Sequence, residues 1–306
     1  MPNVSEGRDS AIIARIAAEI IRTGCHLLDI HSDPDHNRSV FTMVGSREKI
    51  ADGAVALAES ATALIDLSLH QGVHPRIGAV DVIPFIPLGS TPMSACVELA
   101  QRVGKILGDQ VCLPVFLYGL AAGSAEDSTA RLSERATLPW IRRGGLPTLS
   151  RKMLDVAPDF GPRQPHPTAG AVAIGARQFL VAFNVVLNTA DVAIARAIAA
   201  TLREVNGGLP GVKALGLSLA SRRLTQVSMN LTHVPRFAGD MTATSIPSAF
   251  RAVEVEANRL GTRVLESEIV GLIPRLALAD ASANALCMHE DPRERILETR
   301  IAELAL

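Results

Sequence analysis

Apolar and polar positions follow a clear order in the second half of the chain. "FLVAFNVVL" is a continuous β-rich run, and Asp191 precedes a stretch with apolar residues at helical spacing. Two short strands then flank a turn at Ser221, and the second alternates cleanly. A helix over Ile246–Arg259, stopped by Gly261, precedes a last strand. The pattern therefore predicts the order β-α-β-β-α-β, with strands over 179–187, 212–220, 224–232 and 263–274.

The first half repeats most of this order. Its pattern predicts a helix closed by Gly24, then strands, a long helix over 48–69 and further elements, in the order α-β-β-α-β-α-β. The remaining predicted bounds are strands over 26–32, 38–45, 78–87 and 113–119, and a helix over 93–107. A strand before the first helix is missing from the pattern, although this position is central in a split β-α-β sheet. We therefore expect the natural start to lie about a strand length upstream.

A loop-rich stretch, 121–170, follows the first half and ends in a proline-dense run. Such a long connection is functional or disordered, and its prolines and aromatic residues favour an ordered crossing between subdomains. The repeat predicts a mixed α+β and α/β fold class. Its two β-α-β-β-α-β-like subdomains, 1–176 and 177–306, are expected to have mixed sheets with the helices outside.

Composition narrows the classes of function. The chain has 306 residues, 48% of them apolar, enough for one large or two modest cores. A net charge of −1 gives no global attraction to nucleic acid or to an anionic membrane. The four cysteines form no CxxC pair, and the most hydrophobic stretch is interrupted by Arg177 and by glycines. We expect a soluble cytoplasmic protein that binds neither nucleic acid nor membrane.

Polar residues cluster in "HxxxHPRxGxxD", which comprises His70, His74, Arg76, Gly78 and Asp81. No HExxH, GxSxG, GxGxxG or GxxxxGK[ST] motif is present, so metal, serine-nucleophile and nucleotide chemistry are not indicated. A histidine there can act as a general acid and base. An arginine can bind a carboxylate in a forked geometry, and an aspartate can orient an imidazole or hold an amine.

A structural interpretation of the same residues stays open. Arg76 and Asp81 could simply pair, with His74 capping the preceding helix, and the local pattern does not separate the two interpretations. A second cluster contains Asn37 and Arg38, where a turn leads into a strand. Arg38 is a candidate anion anchor, although a solvated arginine at a strand end is the commoner case.

Ten ordered sequence blocks resemble the formiminotransferase domain of glutamate formimidoyltransferases. They are "PNVSEG", "LLDIHSDPDHNRSVFTMVG", "LIDLSLHQGVHPRIGAVDVIPFIP", "VFLYG", "TLPWIRRGG", "APDFGP", "GAVAIGARQFLVAFNVVL", "LREVNGGLPGVKALGL", "LTQVSMNL" and "EIVGLIP". Nothing resembles the cyclodeaminase domain of the bifunctional enzymes, so the sequence resembles a stand-alone transferase.

The resemblance implies a reaction and a site. It implies two sheets facing each other across a folate channel, and transfer of a formimino group from N-formimino-L-glutamate to N5 of tetrahydrofolate, as in histidine degradation. Tetrahydrofolate would be a co-substrate, without metal or nucleotide, and a homodimer is expected from the family alone. The catalytic histidine falls on His74. Folate-binding segments fall on Gly161, Pro162, Arg163, Gln164, Pro165, His166, Pro167, Thr168, Ala169 and Gly170, and on Val212, Lys213, Ala214, Leu215, Gly216 and Leu217.

Both substrates carry carboxylates, which we expect Arg38 and Arg76 to contact, with Asn37 and Asp81 as supporting residues. The sequence departs from the family at Leu120, where glutamate is frequent, and at Ala169, where the animal enzymes have tryptophan. A transferase for another donor such as formiminoglycine, or for a formyl donor, therefore stays open. So does a folate-binding protein that has lost catalysis.

Overall fold

The structure is a computed structural model that describes residues 1–73, 75–122, 142–237, 240, 242–279 and 281–304. The chain forms two units, Met1–Gln178 and Phe179–Leu306. No helix within these described ranges is long and apolar enough to cross a membrane.

The first unit contains a mixed six-stranded sheet. Strands β1 to β4 pair in antiparallel fashion, whereas β4, β6 and β5 are parallel, and the sheet order is β2-β3-β1-β4-β6-β5. The strands are β1 (Asn3–Val4), β2 (His26–Asp33), β3 (Arg38–Val44), β4 (Val80–Phe85), β5 (Val115–Gly119) and β6 (Val172–Ala176). The helices are α1 (Ser10–Arg22), α2 (Arg47–Leu64), α3 (Met93–Gln110) and α4 (Leu146–Asp155).

Two apolar cores cover the two faces of this sheet. Side chains of α1, α2 and α3 pack in one core with β-strand residues such as Phe41 and Ile83. On the other face, Leu149 and Met153 of α4 pack against Val82 and neighbouring strand residues. Helix α4 therefore covers the parallel strands, and the described residues 142–145 lead directly into it.

The long helix α2 ends at Leu64, so its predicted extension to Leu69 is wrong. Ile65 is already extended, and the Asp66 carboxylate accepts a hydrogen bond from Ser68 N at 2.9 Å. The backbone N–H of Leu67 donates to the carbonyl of Thr168 at 2.8 Å, a partner that helical periodicity does not reveal. These local and tertiary bonds replace the next helical turn.

Three elements of the first unit, β1, α4 and β6, are absent from the sequence-based prediction. The two residues of β1 lie between β3 and β4, in the central position that the pattern leaves empty. Helix α4 and strand β6 lie in or beside the stretch read as loop-rich. The β6 segment merges with the next apolar run in the sequence, so periodicity alone does not separate the two strands.

The second unit contains an antiparallel four-stranded sheet with the order β10-β7-β9-β8. Its strands are β7 (Val181–Leu187), β8 (Val212–Leu219), β9 (Leu224–Leu231) and β10 (Val264–Val270). Its helices are α5 (Val192–Leu202), α6 (Ile246–Arg259), α7 (Arg275–Leu278) and α8 (Leu297–Ala302), with 3-10 turns at Glu204–Asn206, Asn284–Leu286 and Pro292–Arg295. The connectivity matches that of β1 to β4 in the first unit, which confirms the predicted repeat. The sheet of the second unit is antiparallel, whereas a mixed sheet was expected.

Candidate active site

The proline-rich segment, residues 161–170, is bonded to the α2–β4 loop, residues 65–79. Thr168 O accepts from Leu67 N at 2.8 Å, and Ala169 O accepts from Ala79 N at 2.9 Å. Just beyond the segment, the backbone N–H of residue 171 donates to Ile77 O at 2.9 Å. These bonds hold both ends of the loop. Two sequence regions singled out independently are therefore brought together.

A tight turn ends the proline-rich segment. His166 and Gly170 exchange backbone hydrogen bonds of 2.8 and 3.0 Å, and His166 Nδ1 accepts from Ala169 N at 3.1 Å. Gly170 has φ +69, and a Cβ there would lie 2.1 Å from Ile77 O, so the position requires glycine. Ala169 and Gly170 are buried; the exposed members of the segment are Gly161, Arg163, Gln164 and Pro167, while Pro162, Pro165, His166 and Thr168 are half-buried.

Asp81 is the extra residue of a β-bulge. Val4 lies opposite Val80 and Asn3 lies opposite Val82, which leaves Asp81 without a pairing partner on β1. The Asp81 side chain is 1% exposed. Its Oδ1 accepts from Ile77 N at 2.9 Å, and its Oδ2 accepts from the guanidinium of Arg142. The ion pair of Asp81 is thus with Arg142, and the bulge turns the carboxylate toward the α2–β4 loop.

Arg76 ties the α2–β4 loop to the β2–β3 turn. Its guanidinium donates to the carbonyls of His36 and Asn37 at 2.8 and 3.0 Å. Its Nη1 also lies 2.8 and 2.9 Å from the two ring nitrogens of His70. Asn37 makes a second connection between the turn and the loop, because its side-chain amide donates to Gln71 O at 3.0 Å. The backbone of Asn37 has φ +47. These bonds make Arg76 and Asn37 part of the framework of the site.

Arg38 lies in a cluster of cations. Burial lowers the pKa of the Arg38 guanidinium to about 9, and the neighbouring guanidiniums of Arg142 and Arg76 act in the same direction. Arg38 also donates to the side-chain oxygen of Asn3. The guanidiniums of Arg38, Arg76 and Arg142 thus lie close enough to influence one another, and the carboxylate of Asp81 acts on Arg38 and Arg76 in the opposite direction. Arginines can donate forked hydrogen bonds to an anionic ligand.

Sequence reasoning missed several polar residues of this region. Arg142 precedes α4, and Tyr118 and Arg177 lie at the ends of β5 and β6. Burial raises the pKa of Tyr118 and lowers the pKa of Arg177. The signal for Arg142 was present in "TLPWIRRGG", where paired arginines precede two glycines, but nothing in that block indicates its partner.

His74 lies outside the described residues, as does Trp140. Val73 and Pro75, the sequence neighbours of His74, are exposed. Among the described side chains, no group of three or more His, Cys, Asp or Glu could hold a metal ion.

The second predicted folate segment lies on β8 of the second unit. Val212 and Ala214 are buried in the core, whereas Lys213 and Leu215 are exposed and Leu217 is half-buried. Gly216 passes close to α5, since a Cβ there would lie 2.3 Å from Arg196 N. In this segment the side chains of Lys213, Leu215 and Leu217 are therefore the ones open to solvent.

The environment of His70 predicts a loss of stability in acid. Burial, followed by the charge of Arg76, lowers the pKa of His70 below its ordinary value of 6.5. The unfolded chain then binds this proton more tightly than the folded chain, so stability falls as the pH drops below about 6.5. His70→Gln should reduce this fall, as measured by urea denaturation between about pH 7.5 and pH 5. His233→Gln, at an exposed site in the second unit, is the control; equal slopes in His70→Gln and wild type would contradict the assignment.

Comparisons with known proteins agree over nearly the whole chain. A family model described as formiminotransferase domain, N-terminal subdomain, matches residues 1–177, and one described as formiminotransferase domain matches residues 182–305. The glutamate formimidoyltransferase of Thermoplasma acidophilum is 40% identical over 310 residues, which cover 100% of this chain and 97% of that protein. The glutamate formimidoyltransferase of Streptococcus pyogenes serotype M1 is 39% identical, covering 98% and 97%. The formimidoyltransferase-cyclodeaminase of Sus scrofa is 39% identical over 98% of this chain but 56% of its own length.

Proposed function

The chain belongs to the formiminotransferase family, and we propose that it transfers the formimino group of N-formimino-L-glutamate to N5 of tetrahydrofolate. The products would be 5-formiminotetrahydrofolate and L-glutamate. Tetrahydrofolate acts as a co-substrate. We place the reaction in the cytoplasm, in line with four free cysteines.

The observation that carries this proposal is the attachment of the proline-rich segment to both ends of the α2–β4 loop. By resemblance, this loop contains the position of the family's catalytic histidine, His74, and the segment matches one of the family's two folate-binding segments. An acid–base residue and an acceptor must be close for the reaction, because effective catalysis depends on holding the reactants in place. The backbone bonds join residues 67, 77 and 79 of the loop to residues 168, 169 and 171, and this contact supports the proposal.

The chemistry requires two proton transfers. N5 attacks the amidine carbon and forms a new C–N bond, which gives a tetrahedral intermediate. The bond from this carbon to the glutamate nitrogen then breaks. We propose that His74 takes the proton that N5 loses and returns a proton to the departing glutamate nitrogen. No net oxidation or reduction takes place.

Substrate carboxylates would be held by the arginine cluster. Arg38 is the arginine predicted from sequence to which we assign this contact. Arg76 acts mainly by holding the loop and the β2–β3 turn together. In the folate segments, we assign contacts to the exposed and half-buried members, while Ala169, Gly170, Val212 and Ala214 support them.

A direct assay tests the function. Purified protein is incubated with tetrahydrofolate and formiminoglutamate, the mixture is acidified, and the 5,10-methenyl spectrum is recorded. Product with formiminoglutamate supports the proposal. Product with formiminoglycine but not with formiminoglutamate would identify the other donor class, and folate binding without turnover on any donor would identify a binding protein.

A further inference from the structure

The β2–β3 turn, residues 34–37, contacts both the β1–α1 loop and the α2–β4 loop. Each loop meets the chain of this turn at a glycine. A Cβ at Gly7 of the β1–α1 loop would overlap the carbonyl oxygen of Asp33, and a Cβ at Gly72 of the α2–β4 loop would overlap the carbonyl oxygen of His36. At both contacts there is room only for backbone, so the two loops lie directly against the turn.

Asn37, the last residue of the turn, connects the two loops through one side chain. Its Oδ1 accepts a hydrogen bond from Gly7 N at 2.9 Å, and its Nδ2 donates to Gln71 O at 3.0 Å. The residue is buried, and asparagine adopts its positive φ more readily than most residues do. Both polar atoms of the amide are therefore bonded to backbone, one in each loop.

The α2–β4 loop is bonded to the turn at residues on both sides of His74. On the N-terminal side, Gln71 O accepts from the Asn37 amide, and Val73 N donates to a carbonyl of the turn at 3.3 Å. On the C-terminal side, the Arg76 guanidinium donates to two carbonyls of the turn at 2.8 and 3.0 Å. The described residues that flank His74 are therefore attached to the turn.

The two side-chain links differ in stiffness. The guanidinium of Arg76 stands at the end of a long side chain with many rotamers, so it can follow a loop that moves. The amide of Asn37 is carried by a short side chain, so its bond to Gln71 O is kept only while the loop stays close to the turn. The Asn37 link therefore sets the distance between the turn and this part of the loop.

We propose that Asn37 is a positioning residue, whose amide holds the segment that contains His74 in place for proton transfer. The catalytic role of His74 rests on the function proposed above, while the attachment of the segment rests on the hydrogen bonds. A shift of about 1 Å in a reacting group can lower the rate by about 100-fold, so such a link matters for turnover. Asn37 would act through the loop and would not touch a reacting atom.

Two substitutions of Asn37 separate its side chain from its backbone conformation. Asn37→Gly permits the positive φ and removes both side-chain bonds, whereas Asn37→Asp keeps the acceptor for Gly7 N and loses the donor to Gln71 O. We expect each to lower kcat by about 10- to 100-fold, with the KM for tetrahydrofolate within about 3-fold of wild type. Wild-type kcat in both variants, or in Asn37→Asp where Asn37→Gly fails to fold, overturns the proposal.

Ile20→Val is the control for a loss of stability alone. Ile20 is buried in the core of the first unit, on α1, and the substitution removes one methylene group from that core. It should lower the urea midpoint and leave kcat unchanged at concentrations of urea where the protein is folded. If Ile20→Val lowers kcat as much as the Asn37 variants do, the effect is one of stability and the positioning role is rejected.

Gly72→Ala tests the same contact from the side of the loop. The added Cβ would overlap the carbonyl oxygen of His36 and push the loop away from the turn, with Asn37 unchanged in sequence. It should lower kcat like Asn37→Gly, and the double variant should lose little more, because both changes disturb one contact. Fully additive losses of kcat would show that Asn37 acts elsewhere and would reject the positioning role.

Hydrogen exchange followed by mass spectrometry tests the attachment of the loop without any turnover. Asn37→Gly should speed exchange in peptides from residues 65–79 by about 5-fold or more, as for the loss of one net hydrogen bond, while β5 exchanges as in wild type. Faster exchange of the loop in a protein without formimino transfer would support the attachment and reject the proposed function alone. Unchanged exchange of the loop overturns the proposal whether or not the protein is active.

Discussion

Replacement of His74 by alanine should lower kcat by about 10²–10⁴, the usual contribution of a general acid–base residue. The reaction needs one group that accepts a proton from N5 and returns one to the leaving nitrogen, and His74 is the residue to which we assign both steps. Folate affinity should change little, since the folate contacts are assigned to other residues. The spectrum of the acidified product gives the rate, and calorimetric titration of a folate gives the affinity.

A matched control for this prediction is His289→Ala. His289 is exposed in the second unit, where it lies 3.1 Å from Glu266. It should retain wild-type turnover. Near-normal turnover in His74→Ala would refute the assignment, whereas equal losses of turnover and folate binding would point to a damaged site rather than to a missing proton carrier.

Gly78→Ala should destabilise the first unit by about 3 kcal/mol or more, at the upper end of the usual cost of overpacking. A Cβ at Gly78 would lie 1.9 Å from Ala171 O and 2.6 Å from Val80 O. Val80 begins β4 and Ala171 directly precedes β6, so neither backbone atom can move without disturbing a strand. The hydrogen bond from Ser5 Oγ to Gly78 O, 2.8 Å long, would be disturbed as well. The change should also weaken folate binding, because it separates β4 from the chain that follows the proline-rich segment.

Gly89→Ala provides the comparison for this second prediction. Gly89 has φ +59, but nothing lies within 4 Å of a Cβ built there, so the expected cost is limited to backbone strain of about 1 kcal/mol. Urea denaturation followed by circular dichroism measures both variants. Similar midpoints for the two variants would show that the close approach at Gly78 is relieved by a small backbone shift.

Local signals predicted much of the second unit from sequence. The helix over Ile246–Arg259 has the same bounds in the structure, because a serine cap precedes it and Gly261 follows it. The hairpin of β8 and β9 was also predicted, because two short antiparallel strands and the tight turn between them are all encoded in one short stretch of sequence. The repeat of β-α-β-β-α-β order could be recognised for the same reason.

The first unit was harder because long-range contacts determine its details. Helix α2 ends at Leu64, and shortly after it the backbone N–H of Leu67 donates to Thr168, about a hundred residues away in the chain. Likewise, sequence placed Asp81 and Arg76 in one motif but did not reveal that Asp81 pairs with Arg142. A β-bulge and a distant arginine together create that pair, and neither has a periodic signature. The sequence thus indicated which residue types could take part in the chemistry, whereas the tertiary fold determines which of them form hydrogen bonds and ion pairs with one another.

The position of β6 has a consequence for how the protein is made. β6 lies between β4 and β5, although it follows both in the chain. During synthesis, β4 and β5 therefore leave the ribosome without the strand that joins them, and their inner edges stay unpaired until residue 176 has emerged. Exposed strand edges promote aggregation, and domains generally fold as units as the chain grows. Nascent chains that end before β6 should therefore depend on chaperones, and those that extend just past it should not.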